Sequence, residues 1–173
     1  AAPFTDRLDL AGKGIREIEP GAFVGLASVE ELGLQDNKLV HLRANTFKGL
    51  GSVSELRLEG NSLRKLSPRA FNGLRKLKML NLADYYFASL PADAFRGLDS
   101  LETLNLRNNR IARFGSAFRG LGNLRWLEMS ENSIEALSVR SFEGLLSLEV
   151  VNLYENPVQE VECGTFANVS KQR

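Results

Sequence analysis

The sequence repeats itself every 24 residues along almost its whole length, and this periodicity constrains the fold more than any other feature. Residues 29–50, VEELGLQDNKLVHLRANTFKGL, recur one period later as VSELRLEGNSLRKLSPRAFNGL and then as LKMLNLADYYFASLPADAFRGL. We therefore predict one domain over residues 1–173, built from about seven copies. The predicted copies are 5–28, 29–52, 53–76, 77–100, 101–123, 124–147 and 148–173.

Three columns of residues recur in the unit L-x-x-L-x-L-x-x-N-x-L-x-x-L-x-x-x-x-F-x-G-L. The L-x-L pair puts two apolar side chains on one face of a short strand, so the copies are predicted to stack seven strands into one parallel sheet. The Asn carboxamide can satisfy both N–H and C=O groups of a buried bend, and the recurring Phe predicts a stacked aromatic row on the convex side. The Asn column comprises Asn37, Asn61, Asn109, Asn132 and Asn156, and the Phe column comprises Phe23, Phe47, Phe71, Phe95, Phe118, Phe142 and Phe166.

This pattern resembles the leucine-rich repeat family in its 24-residue extracellular animal form, as in Toll-like receptor ectodomains, variable lymphocyte receptors and Slit-type repeats. The resemblance implies an α/β-type repeat solenoid, a right-handed horseshoe with a parallel β-sheet on its concave face. It implies convex connections that are irregular, 3-10 or short helical. It also implies an extracellular location, secreted or as a receptor ectodomain, and a role in innate immunity.

The composition excludes several kinds of chemistry. The 22 basic and 21 acidic residues give a net charge of +1, without the basic excess of nucleic-acid-binding proteins. One cysteine and one histidine are too few for a zinc site or a disulfide framework, and no apolar run is long enough to cross a bilayer. The repeat geometry places no nucleophile or carboxylate beside His41. We expect a non-catalytic protein with no cofactor, no metal, no nucleic-acid partner and no membrane insertion.

The repeat is broken at a few positions. Lys13 and Tyr85 stand where the other copies have Asn, and Tyr85 is expected to disturb the Asn ladder because a phenol lacks the paired donor and acceptor. The fifth copy is one residue shorter between Phe114 and Phe118, which predicts a tightened convex connection. Cysteine-rich caps are absent from the sequence, so we expect an excised segment, a capless variant or a protein that buries its ends by association.

The aromatic residues separate by type. Most Phe residues occupy repeat-core positions, whereas the Tyr and Trp residues fall in or beside the columns predicted to face the concavity. Tyr and Trp combine contact area with a hydrogen-bonding group and are enriched, with Arg, in binding hot spots. Arg57 and Arg110 lie nearby, and the other half of the concavity carries mixed charges, including Lys38. The predicted ligand-binding residues are Met79, Tyr86, Arg107, Trp126, Val150 and Tyr154.

Two residues of the last copy are candidates for modification. Cys163 is expected to be a free, partly buried thiol, with an intermolecular disulfide as the alternative. Asn168 begins the sequon Asn168-Val169-Ser170, a possible glycosylation site.

The sequence thus predicts an extracellular recognition module, not an enzyme, that binds a protein or a microbial glycan or lipid on its concave face. The alternative is a structural or adhesive module that self-associates as a homodimer or scaffolds signalling partners. The two differ in whether the chain stays monomeric when its concentration is varied.

Overall fold

The fold is built from very short parallel strands joined by turns. A computed structural model describes residues 6–169. Its strands are β1 (Arg7–Asp9), β2 (Glu31–Gly33), β3 (His41–Leu42), β4 (Glu55–Arg57), β5 (Lys65–Leu66), β6 (Met79–Asn81), β7 (Thr103–Asn105), β8 (Trp126–Glu128), β9 (Ala136–Leu137), β10 (Val150–Asn152) and β11 (Glu160–Val161). Seven of these, one from each predicted copy, are three-residue strands of the concave face: β1, β2, β4, β6, β7, β8 and β10.

Each concave strand is centred on the first aliphatic residue of the L-x-L pair. Leu32 pairs in parallel register with Leu8 and Leu56, and Leu104 pairs with Leu80 and Leu127. These central side chains point into the core, so the residues on either side of them point outward into the concavity. The sequence period therefore fixes which side chains are available for contact.

The concave sheet is split, in contrast to the single seven-stranded sheet that the repeat predicts. One sheet has the order β1-β2-β4 and the other the order β10-β8-β7-β6. Within the described part of the chain, no backbone hydrogen bond joins β4 to β6. Away from the concave face the same two copies stay connected, because the Tyr86 amide donates to the Leu63 carbonyl (3.2 Å) and the Arg69 amide to the Asp93 carbonyl (3.0 Å).

The split lies where Tyr85 replaces Asn. Tyr85 is buried, and its hydroxyl donates to the Leu58 carbonyl of the preceding copy. Burial, followed by the nearby Glu59 carboxylate, raises the pKa of Tyr85, so the hydroxyl keeps its proton. A phenol is longer than a carboxamide, and its ring occupies the space between the two copies. The strands beside Tyr85 are therefore held apart while one donor contact of the ladder is kept.

In the regular copies the Asn side chain joins neighbouring copies through three backbone groups. The side-chain Nδ2 of Asn109 donates to the Leu82 carbonyl of the preceding copy (2.9 Å) and to the Leu106 carbonyl of its own copy (3.0 Å). The side-chain Oδ1 of Asn109 accepts from the backbone amide of Phe87 (3.2 Å). Asn37, Asn61, Asn132 and Asn156 make the same kind of contacts. The predicted role of this column is confirmed.

The convex side consists of turns, and no helix occurs between residues 6 and 169. Of the convex geometries that the family resemblance implies, the irregular one is present. In four of the F-x-G-L turns the Gly lets neighbouring turns approach closely, at Gly49, Gly73, Gly97 and Gly144. A Cβ at Gly49, whose φ is +103°, would lie 2.6 Å from the Phe23 carbonyl oxygen.

The predicted aromatic row is present, with one interruption. Successive rings from Phe23 to Phe118 stack with centroids 5.7–6.3 Å apart, and Phe142 stacks on Phe166 at 5.4 Å. Between them Phe114 of the shortened fifth copy tilts against Phe118 (5.5 Å) and Phe142 (6.3 Å). An open depression of about 540 Å³ lies beside this connection, with Phe114 and Gly115 in its lining, and the tightened turn stays a prediction.

The Asn ladder yields a stability prediction. Replacing Asn109 by Leu leaves the buried Leu82 carbonyl and Phe87 amide without their partner, so Asn109→Leu is expected to lower the free energy of unfolding by roughly 2–4 kcal/mol. Asn123, which is exposed and bonds only the Asp99 carbonyl, provides the control Asn123→Leu, expected to cost under about 1 kcal/mol. Denaturant unfolding measures both. Equal losses in the two variants would contradict the ladder's structural role.

Tyr85 and Tyr86 form a matched pair that tests the buried hydroxyl. Tyr85→Phe removes the donor to Leu58 and is expected to cost about 1 kcal/mol, because the Leu58 carbonyl still accepts from Asn61 at 2.8 Å. Tyr86 is 46% exposed, so Tyr86→Phe is expected to change the unfolding free energy by less than about 0.5 kcal/mol. Denaturant unfolding of both variants makes the comparison. A neutral Tyr85→Phe would show that the hydroxyl does not hold the two copies.

Candidate ligand-binding surfaces

An exposed apolar row crosses the four-stranded concave sheet. Strand register places Met79, Thr103, Trp126 and Val150 side by side, one on each strand. Met79 is 68% exposed, Trp126 46% and Val150 37%. With a strand spacing of about 4.8 Å, the row is roughly 14 Å long. Trp126 and Val150 are neighbours and Thr103 separates them from Met79; large apolar side chains exposed this close together are typical of contact surfaces.

A polar row next to it orders the loop that follows the strands. The side-chain Oδ1 atoms of Asn105 and Asn152 accept from the backbone amides of Arg107 and Tyr154, each at 3.0 Å. Partial burial opposes ionisation of Glu128, but hydrogen bonds from Ser130 and Asn152, and the charge of Arg107, outweigh it and lower the pKa of Glu128. Glu128 is therefore an ordered anion at neutral pH, and the row presents fixed polar groups beside the apolar one.

Tyr154 and Arg107 lie at the margin of this surface, beyond the polar row. Tyr154 is 70% exposed, and its carbonyl accepts from the Glu131 amide at 2.9 Å. The Arg107 guanidinium is held by the Glu131 carboxylate, with an Nε–Oε1 distance of 2.9 Å. The structure thus brings Met79, Trp126 and Val150 together with Tyr154 and Arg107 beside them. Their role in binding stays a prediction.

Tyr86 does not belong to this concave surface. It follows the ladder position, where the backbone has left the concave face, and its amide pairs with the Leu63 carbonyl on the lateral side of the solenoid. The Arg64 and Arg110 guanidinium carbons lie 5.4 and 5.2 Å from its ring centroid. The structure therefore does not bring Tyr86 together with the other predicted binding residues, because the chain turns at the Asn column before reaching it. A role of Tyr86 in binding stays a prediction.

The gap between β4 and β6 opens into the concavity beside Met79. It forms a cavity of about 590 Å³ whose walls include Glu55, Arg57, Met79 and Asn81. In the sequence, this cavity is indicated only by Tyr85 at a position that is Asn in most other copies. That replacement does not show how far β4 and β6 separate. The apolar row therefore ends at an opening and does not continue into the next strand.

The three-stranded half of the concavity is polar, as the sequence predicts. Arg7 lies 3.8 Å from Glu31, and Arg57 lies 2.6 Å from Glu55, so opposite charges there pair within the protein. Such exposed pairs contribute little to stability. Lys38, expected on this half, instead shares the lateral position of Tyr86 and Arg110, one residue after the ladder.

The structure describes both candidate modification sites, Cys163 and Asn168, but only part of the sequon at Asn168. Cys163 is an exposed free cysteine, so the expected partial burial is wrong. An intermolecular disulfide at Cys163 remains a prediction. Asn168 is exposed, and the Ser170 of its sequon lies outside the described residues. Glycosylation of Asn168 also stays a prediction.

The prediction that no nucleophile lies beside His41 is wrong, because a serine of the next copy contacts its ring. The His41 Nε2 contacts the Ser67 hydroxyl at 2.9 Å. Burial, followed by the charges of Lys65 and Arg43, lowers the pKa of His41. Residues 6–169 contain no group of three or more potential metal ligands and no helix that is long and apolar enough to cross a membrane.

The stacked parallel strands, the Asn ladder and the Phe row define a repeat solenoid. A family model described as leucine rich repeat matches residues 5–63, 28–84, 52–111 and 84–134, which together span more than half of the chain. The chain belongs to the leucine-rich repeat family. No curated protein sequence matches it significantly.

Solved structures share this fold. The leucine-rich repeat domain of APL1B superimposes with a TM-score of 0.73 at 23% identity, covering 91% of this chain and 46% of that one. Toll in the Drosophila Toll–Spatzle complex gives 0.72 and 22%, covering 95% and 25%. TLR13 in its ssRNA13 complex gives 0.64 and 21%, covering 96% and 32%. The chain thus spans less than half of each of these proteins.

Proposed function

We propose that the chain is a non-catalytic, extracellular recognition module whose four-stranded concave sheet binds a protein ligand, with a microbial glycan or lipid as the alternative ligand. The observation that carries the proposal is the exposed row of Met79, Trp126 and Val150 on β6, β8 and β10, with Thr103 on β7 between the first two. Burying the apolar side chains of this row, with Trp126 among them, stabilises a complex, and the polar row beside it supplies orientation.

The physical setting favours a macromolecular ligand. The strands hold the row on a rigid frame, so little side-chain and loop entropy is lost on binding. The surface is open and extended, whereas small-molecule sites are concave pockets that enclose most of the ligand. The proposed protein ligand accords with the fold similarity to Toll, which was solved in complex with Spatzle. A role in innate immunity is proposed on the same analogy.

The test compares two double variants against an array of extracellular proteins and microbial envelope preparations. Trp126→Ala with Tyr154→Ala removes apolar area from the concave surface. Val24→Ala with Val139→Ala is the matched control, because these two Val residues are exposed on convex turns. A partner that binds the native chain is expected to bind the concave variant about 10- to 100-fold more weakly and the control unchanged, measured by surface plasmon resonance.

Unchanged binding of every partner by the concave double variant, with its unfolding midpoint intact, would contradict the proposal. The row could also pair with that of a second copy, which is the self-association alternative. Sedimentation across a dilution series separates the two. A monomer at all concentrations excludes the homodimer, whereas dimerisation lost in the Trp126→Ala variant would make the row a self-interface.

A further inference from the structure

The lateral side of the solenoid carries a surface that the concave binding proposal does not use. Residues just after the Asn column leave the concave face and form a backbone ladder of their own, in which the Tyr86 amide bonds the Leu63 carbonyl and the Arg110 amide bonds the Phe87 carbonyl. Along this side the second to fifth copies present five exposed cations. We call them the basic flank: Lys38, Arg64, Lys65, Arg110 and Arg113.

The basic flank has an ordered centre. Tyr86 lies between Arg64 of the preceding copy and Arg110 of the following copy, with guanidinium carbons 5.4 and 5.2 Å from its ring centroid. Each guanidinium covers one face of the ring, which holds it by a cation–π contact. The two guanidinium groups are therefore held roughly 10 Å apart, two strand spacings along the solenoid axis.

The charges of the basic flank are not neutralised within the protein. None of its five cations forms an ion pair among residues 6–169. Some cations of other surfaces do pair with acidic residues of a neighbouring copy, as in Lys78–Glu102 (3.3 Å), Arg119–Glu143 (3.3 Å) and Arg125–Glu149 (2.8 Å). The near-zero net charge of the chain therefore does not reveal this local group of five cations.

His41 reports the positive potential at the end of this flank. It pairs with Lys65 across β3 and β5. After burial, the charges of Lys65 and Arg43 are the causes that lower the pKa of His41, and they outweigh the opposing charge of Glu17.

We propose that the basic flank is a second binding site, for a linear sulfated polysaccharide. Guanidinium groups bind oxyanions such as sulfate through paired N–H donors, and two held at fixed spacing suit a polymer with regularly spaced sulfates. Small exposed side chains at Ala88, Ser89 and Ala112 leave the surface around Tyr86 open to an extended chain. The site is separate from the apolar concave row and does not depend on its function.

Single-stranded nucleic acid is the competing polyanion, and the geometry disfavours it. Proteins that bind single strands stack bases on aromatic rings. Tyr86 is the aromatic residue exposed within the basic flank, and both of its faces are covered by guanidinium groups. The charges can attract a phosphate backbone, but the ring offers no free face for a base.

Heparin oligosaccharide is the probe, titrated by calorimetry over a series of NaCl concentrations. Arg64→Gln with Arg110→Gln removes the ordered pair of charges. This variant is expected to bind heparin about tenfold or more weakly, with a salt slope reduced by about two, because two charge contacts are lost. Arg119→Gln with Arg125→Gln is the matched control. It removes the same net charge from residues already paired with Glu143 and Glu149, and its affinity should stay near that of the native chain.

Each other outcome overturns the proposal. Absence of heparin binding at low salt removes the site, and equal losses in the two double variants make the binding nonspecific. Equal affinity for desulfated heparin, which keeps its carboxylates, would show that sulfate is not recognised. Tighter binding of poly(U) than of heparin at equal charge would make the ligand a nucleic acid.

The single histidine gives a readout that locates the ligand. Because a bound polyanion offsets the charges of Lys65 and Arg43, heparin is expected to raise the pKa of His41, followed by NMR titration of its ring protons. The shift should be absent in the Arg64→Gln, Arg110→Gln variant. An unshifted His41 pKa in a heparin-saturated native chain would place the ligand elsewhere and contradict the assignment.

The Trp126→Ala, Tyr154→Ala variant, which alters only the concave surface, should bind heparin with native affinity. The two proposals can therefore fail independently of each other.

Discussion

The structure depends on one interaction, the carboxamide that joins each copy to the preceding one. A strand of three residues makes too few backbone hydrogen bonds to hold its position alone, and the bend that follows it buries polar groups that water cannot reach. Each ladder Asn satisfies donors and acceptors from two copies at once, as Asn132 does with the Leu106 and Met129 carbonyls and the Ile111 amide. The stacked Phe rings fill the convex side, with nearly equal centroid distances of 5.7 and 5.8 Å between successive copies. Register is thereby fixed, and with it the position of every outward-facing side chain.

A single replacement in this ladder divides the molecule. Tyr85 keeps a donor contact to the preceding copy but separates the strands beside it, so the concave face consists of a polar three-stranded half and a four-stranded half with an apolar row. Leu56 is only partly buried at the split, whereas Leu32 and Leu104 at unbroken positions are fully buried. The surface best suited to contact thus begins where the regular repeat fails.

Much of this architecture follows from the sequence, because the repeat period sets the position of each residue. The strand centres, the Asn bonds, the Phe row and the exposure of Trp126 could all be predicted from column membership. The position of Tyr86 could not, because the backbone leaves the concave face one residue earlier and the column pattern does not show that turn. The sheet split could not be placed either, since it depends on the reach of the Tyr85 ring. The basic flank could not be predicted from net charge, because acidic residues elsewhere in the chain balance its five cations in the total.

Amide hydrogen exchange tests the central account most directly. Leu39 and Leu63 are equally buried at matching positions, but the Leu39 amide donates to Asn61 at 3.0 Å, whereas the Leu63 amide faces Tyr85 and has no acceptor among the described residues. The account predicts slow exchange at Leu39 and at Phe87, and much faster exchange at Leu63 and along the facing edges of β4 and β6. Uniform protection of these amides would show an unbroken sheet and contradict the account.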